Sequence, residues 1–305
     1  MKNIKNILLV LAGLTFSFEV FASSCCGQSA MGLNVLTQRQ KLNASLSQSY
    51  SNAMGRVYDS DNAFYIWPES KKRILYSTNL SLAYSLSNKY QMFLNSGFQN
   101  AEFKDQQYSD RQQNMTDTLL GLTYEFLTEY KYNPYKPTGY VTLFTNLPSG
   151  HSVFDSDAGP ESINVSGHDQ WGLGLGLTLN KIILPWTFLV QVKSLRLFKN
   201  EFKNASVDGF FDSSSQFVIG YTVSAINAVL NLSLTQVELS GRDVRYQQLI
   251  QTPTSSSTVV GVGFIKPITD QFILSVNYSD QSLLGQPKNT LISQTLSLNL
   301  AMNYY

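Results

Sequence analysis

Between Ser293 and Tyr305 apolar and polar residues alternate one by one. Leu296, Leu298, Leu300, Met302 and Tyr304 share one parity, and Thr295, Ser297, Asn299, Ala301 and Asn303 share the other. A period of two over about ten residues predicts a strand with one apolar and one polar face. Its length suits a transmembrane β-strand, apolar toward lipid, polar toward a wet lumen, and ending on an aromatic. Tyr304 closes the apolar register and Tyr305 lies one residue past it.

The same alternation recurs along the chain. Leu42, Ala44, Leu46 and Tyr50 oppose Lys41, Asn43, Ser45, Ser47 and Ser49, and Ile74 to Leu86 repeats the pattern at greater length. Further strands are predicted around Tyr90–Phe98, Thr118–Phe126, Trp171–Leu179, Trp186–Val192, Phe217–Val223, Leu230–Leu234, Val260–Phe264 and Phe272–Tyr278. Tyr140–Leu147 is a strand whose register the pattern leaves open. The expected fold is all-β: a transmembrane antiparallel up-and-down β-barrel of about 12 strands. Its predicted connections alternate long and short. Gly55–Lys72, Ala101–Asn114, Pro148–Asp169, Lys199–Ser213, Ser240–Ser256 and Leu283–Asn289 are the long ones, a bias typical of bacterial barrels. Aromatics cluster toward both strand ends, as two interfacial girdles would require, whereas a sandwich core would hold them mid-strand.

Composition agrees with an enclosed polar surface. Of 305 residues 43% are apolar, 12% aromatic and only 14% charged. Residues 1–22 read as a signal peptide: Lys2 and Lys5 precede the apolar run Ile7–Phe18, and Val20-Phe21-Ala22 forms a small-x-small cleavage site. Removing Lys2, Lys5 and Glu19 from 22 basic and 21 acidic residues leaves the mature chain evenly balanced, so no nucleic-acid partner is expected. Residues 23–39 are aperiodic and read as a periplasmic tail or lumenal plug, with residues 40–305 as the barrel. Cys25 and Cys26 are adjacent, too close to bridge each other readily. Cys25 is a possible lipidation position, but Ala22-Ser23-Ser24 lacks the expected leucine. An inert or intermolecular pair is the alternative.

Candidate chemistry is sparse. Gly172-x-Gly174-x-Gly176 lies inside a period-two strand, so it reads as small residues in a crowded lumen rather than a dinucleotide fingerprint. His151, Ser152 and His168 share one polar loop, without a base and nucleophile projecting from a strand, so no catalytic residues are assigned. Asp155-Ser-Asp157-Ala-Gly159 is a fragment of a calcium-loop pattern that lacks its remaining ligands, and no metal or cofactor is assigned. Lumen-lining candidates are Lys41, Arg73, Glu125 and Lys193 among neutral Ser, Thr, Asn, Gln and Gly, a lining without strong ion selectivity.

Asn146-Leu-Pro-Ser-Gly150, a polar loop, and then Gly167-His-Asp-Gln-Trp-Gly-Leu-Gly-Leu-Gly-Leu-Thr178 form a recognisable series. It resembles the outer-membrane family named for the meta-pathway of phenol degradation, over roughly a tenth of the chain. The resemblance implies a channel for small, often hydrophobic or aromatic, compounds and carries over no binding residues. The expectation is therefore a monomeric outer-membrane channel in contact with lipid and lipopolysaccharide, inserted by the barrel-assembly machinery through its last strand. A structural or adhesive barrel, or a phospholipase-type hydrolase, are the alternative classes.

Overall fold

The computed structural model describes residues 33–37, 40–58, 64–129, 133, 135–154, 163–203, 205–245, 249–285 and 287–305. The signal peptide, Cys25 and Cys26, and the calcium-like Asp155–Gly159 lie outside them. Twelve strands form the barrel: β1 (Leu42–Val57), β2 (Lys72–Ser85), β3 (Tyr90–Lys104), β4 (Thr118–Leu127), β5 (Thr138–Leu147) and β6 (Gly172–Ile183). They continue as β7 (Trp186–Leu197), β8 (Phe210–Val223), β9 (Ala228–Leu239), β10 (Ser255–Pro267), β11 (Phe272–Asp280) and β12 (Thr290–Tyr304). Each pairs antiparallel with its sequence neighbours, and β12 pairs back onto β1 from Leu42↔Tyr304 to Val57↔Thr290. Closure leaves no strand edge unpaired, the condition for a sheet in hydrocarbon.

Outward parity is apolar around the circumference. Leu175 is 61% exposed and Leu232 54%, with Leu46, Leu80 and Leu298 also exposed. A soluble protein would bury these side chains; here they form a lipid-facing band. Aromatic neighbours border it in register. Tyr50 and Tyr76 lie 5.4 Å apart toward the long-loop end. Tyr90–Tyr124 at 5.1 Å and Trp186–Tyr221 at 4.9 Å lie toward the short-turn end. The two girdles match those read from the sequence.

Inward parity is divided. On β9–β12 and β1–β2 it is Asn and Ser, as in Asn43, Asn79, Ser81, Asn231, Asn277 and Ser297. On β3–β8 it carries large apolar groups. One row runs Ala83↔Phe93↔Gly121↔Phe144↔Gly174↔Leu195, strand to strand across the ladders. Large and small alternate because adjacent strands are too close for two rings side by side. A Cβ at Gly121 would stand 2.2 Å from the Phe93 ring, and one at Gly174 only 2.4 Å from the Phe144 ring. The crowding inferred for the glycine strand is therefore real: Leu195 stands over Gly172, Phe144 over Gly174 and Leu33 over Gly176.

The open register of β5 resolves with Tyr140, Thr142, Phe144 and Asn146 inward and Val141 and Leu143 outward. Both faces carry large apolar residues, which is why alternation could not decide it. Four loop expectations are corrected. Ala101–Lys104 continues β3, and Phe98–Lys104 pairs with Ser109–Met115 as a hairpin. Lys199–Ser213 is not all loop, since β8 begins at Phe210. Short strands from that loop, Asn200–Glu201 and Ser206–Val207, join Arg242–Arg245 and Leu249–Thr252 in a separate four-stranded sheet. Likewise β1 runs to Val57, where Phe64–Ile66 pairs with it. Polar composition hid these strands, because above the lipid band no strand face has to be apolar along its whole length.

Candidate functional site: the barrel interior

The interior holds a cavity of about 460 Å³. Asn79, Asn95, Asn231, Asn277, Ser47, Ser81, Ser233 and Ser297 supply much of its wall, and Asp117 and Lys193 its charges. Several inward polar atoms, Asn34 Oδ1, Ser45 Oγ, Gln191 Oε1, Ser214 Oγ, Gln216 Oε1 and Asn299 Oδ1, are buried without a protein hydrogen-bond partner. The cavity wall is mostly amide and hydroxyl, so it offers hydrogen bonds to water and to small polar solutes.

Residues 33–37 lie inside the barrel. Leu33 and Leu36 join Ala83, Phe93, Phe144, Leu195, Leu197 and Phe210 in one buried cluster. Leu33 fills the space over Gly176, its Cδ1 2.6 Å from where a Cβ would stand. Polar contacts fix the segment's other side. Asn34 Nδ2 donates to Asn43 Oδ1 at 3.1 Å and to Ser81 Oγ at 2.9 Å. The Gln91 amide clasps the Leu36 backbone, accepting at 2.8 Å and donating at 2.9 Å. The segment therefore reaches from the apolar half to Asn43 and Ser81, with Asn34 itself on the cavity wall.

At the long-loop end, the connection from β5 to β6 folds over the mouth. Gln99 Nε2 and Asn114 Nδ2 donate to the Val165 and Asn164 carbonyls at 2.9 and 2.8 Å. Ile163 packs on the inward Ala101 and Phe103 of β3. Its anchor is Asp117, whose carboxylate accepts from Gly150 N at 2.9 Å and His168 N at 2.6 Å. A Cβ at Gly150 or Gly167 would fall 2.9 or 2.6 Å from Asp117 atoms, so the carboxylate approaches because both positions are glycine. These residues belong to the Leu-Pro-Ser-Gly and Gly-His-Asp segments. Their spacing makes a loop clamp.

The His168 ring lies edge-on to Phe210, 5.3 Å between centroids. Part of its surface reaches solvent, yet protein surrounds it closely enough that burial lowers its pKa. Asp212 and Asp117 oppose that shift, and Arg242 and Lys193 reinforce it. Arg242 lies over the rings of Phe210 and Phe154, and burial lowers it to about 10, still charged at neutral pH.

Lys193 lines the cavity. Glu125 faces inward near the short-turn end and is 2% exposed, its backbone N–H donating to Lys89 O at 2.8 Å. Arg73 faces inward toward the opposite end, cross-strand from Ala53 and Phe103. Lys41 is exposed at the short-turn rim, bonded through its backbone to Tyr304 and Ser85. The four lie at different heights and do not converge. The sequence marked His168 only as one histidine of a polar loop and did not mark Asp117 or Arg242, because the three come from separate connections. The glycines flanking the loop were the one available signal.

No family model and no curated protein matches the sequence. Among solved structures, an outer-membrane channel from Pseudomonas putida F1 superposes with a TM-score of 0.68 at 14% identity, covering 88% of this chain and 97% of that one. The transport unit of the autotransporter AIDA-I from Escherichia coli gives 0.50 at 11% identity, covering 90% and 94%. The fold is that of an outer-membrane β-barrel. At these identities the likeness concerns architecture, so the lumen of this chain must supply the functional argument.

Proposed function

We propose that the protein is an outer-membrane channel for passive passage of small solutes, hydrophobic and aromatic ones included. One observation carries this reading: a closed, lipid-compatible barrel encloses a cavity of about 460 Å³ walled mostly by Asn and Ser side chains. The likeness in fold to the Pseudomonas putida channel is consistent with it. Residues 33–37 act as a lumenal plug that narrows the pore, and the last strand is the element the assembly machinery engages. Ser152 is buried within the loop and accepts from Phe154 N–H, so it offers no nucleophile to lipid and no hydrolytic role is proposed.

Planar-bilayer recording of the refolded mature chain, with solute-swelling assays alongside, tests the reading. Small, weakly selective conductance is expected, and it should rise when residues 23–39 are deleted. The second expectation rests on the Leu33 and Leu36 contacts, which occupy lumen volume. Silence in both forms, where a known porin conducts, refutes the channel. An envelope-integrity phenotype alongside that silence would favour a structural barrel.

A further inference from the structure

On the outer wall, β2 and β3 keep their alternation beyond the aromatic girdle of the long-loop end. Lys72 and Ile74 share the outward parity of Tyr76, and Lys104 and Glu102 share that of Phe98. The hairpin strand Ser109–Met115 extends the same face, with Arg111 cross-strand from Glu102 and Met115 from Phe98. Lys72 and Lys104 are direct cross-strand partners. Residues so placed hold their Cβ atoms about 4.5–5.5 Å apart, and like charges at that spacing repel. Lys72, Lys104 and Arg111 are exposed and form no ion pair among the described residues. Arg111 Nε donates to Asn100 Oδ1 at 3.0 Å, which orients the guanidinium without neutralising it. Three cations against the single carboxylate of Glu102 leave this face positive.

Height decides what this face meets. Tyr76 and Phe98, both exposed, stand at the edge of the hydrocarbon. Lys72 lies four residues beyond Tyr76, roughly 13 Å along the strand and less along the membrane normal once the strand's tilt is counted. The cations therefore project into the headgroup layer of the outer leaflet. We propose that Lys72, Lys104 and Arg111 bind the phosphates of one lipopolysaccharide molecule against the outer wall of the barrel. A phosphate between the two lysines turns their repulsion into a shared attraction, and Arg111 presents a planar N–H edge to a second oxygen pair. The acyl chains then lie along Tyr76, Phe98 and Leu80, which are exposed below the cations. The site rests on the long-loop end facing out of the cell and is independent of passage through the lumen.

Calorimetric titration of the full mature chain in detergent tests the site, with diphosphoryl lipid A, dephosphorylated lipid A and inorganic phosphate as probes. Diphosphoryl lipid A should bind, and each of the others should bind at least about tenfold more weakly, because each keeps only the acyl or only the phosphate half of the recognition. Lys72→Gln with Lys104→Gln should weaken diphosphoryl lipid A by at least about tenfold. Lys89→Gln, in the short turn at the opposite end, removes a charge and should leave the affinity unchanged. Folding of each variant is checked by heat-modifiable migration on gels. Unfolding in vesicles gives a second readout. In phosphatidylcholine alone Lys104→Gln should raise the denaturant midpoint, since one of two apposed charges is gone. With diphosphoryl lipid A added, wild type should gain more than Lys104→Gln does. Unchanged affinity in the double variant, or an equal loss in Lys89→Gln, overturns the proposal. Equal binding of dephosphorylated lipid A or of inorganic phosphate overturns it too, the first showing a greasy surface and the second a free-anion site. A barrel that binds lipid A through the lysines yet stays silent in bilayers supports the site and refutes the channel.

Discussion

Gly174→Ala isolates the alternating row inside the barrel. The new Cβ would lie 2.4 Å from Phe144 Cζ, where ordinary contact begins at 3.4 Å, so the ring must retreat by about 1 Å. Phe144 is 2% exposed and belongs to the cluster with Phe93, Leu195 and Leu33, so it has little room to move. Overpacking of this kind costs about 1–3 kcal/mol. Alanine also restricts the unfolded chain, which recovers roughly 0.5–1 kcal/mol relative to glycine in a strand. The clash outweighs this over most of the range, for a net loss of up to roughly 2.5 kcal/mol. In a Phe144→Ala background the clash is gone, and the same substitution should stabilise by roughly 0.5–1 kcal/mol. Denaturant titrations of the barrel refolded in vesicles, followed by tryptophan fluorescence, measure all four corners of the cycle. Equal costs in both backgrounds would show that the ring does not constrain Gly174.

Three further outcomes follow from other parts of the barrel. Leu175→Arg and Leu232→Arg place a charge on the exposed outer face and should each cost about 2–4 kcal/mol near the membrane midplane, while Ser81→Asn, facing inward, should cost less in the same titrations. Asp117→Ala leaves the Gly150 and His168 N–H groups without their acceptor, a local loss of about 1–3 kcal/mol. Proteases should then cut within residues 148–171 faster, with the barrel's own unfolding midpoint unchanged. Because burial holds His168 below its usual 6.5, the packed loop favours neutral imidazole. Its contribution is complete above about pH 6.5 and is lost as pH falls below that value. Loop protection measured by proteolysis should decline in that direction, and His168→Gln should flatten the dependence.

The sequence by itself determined the outer surface. Lipid demands an apolar outer parity along each membrane-crossing strand, so alternation at Leu296–Tyr304 or Leu173–Leu179 was enough to give strand, face and fold class. Strand number followed because turn and loop composition punctuates the pattern. The interior was decided by tertiary structure alone. Nothing in the spacing of Phe93, Gly121, Phe144 and Gly174 reveals that they share one row, because that depends on register across four strands. Nor could alternation orient β5, where Tyr140 and Phe144 face inward against Val141 and Leu143 outward. Polar strands such as Ser109–Met115 and Arg242–Arg245 read as loop because water, unlike lipid, imposes no parity. Asp117, His168 and Arg242 meet only because three connections close over one end of the barrel. Side chains there are selected by what they touch, and contact between distant segments leaves no period in a sequence.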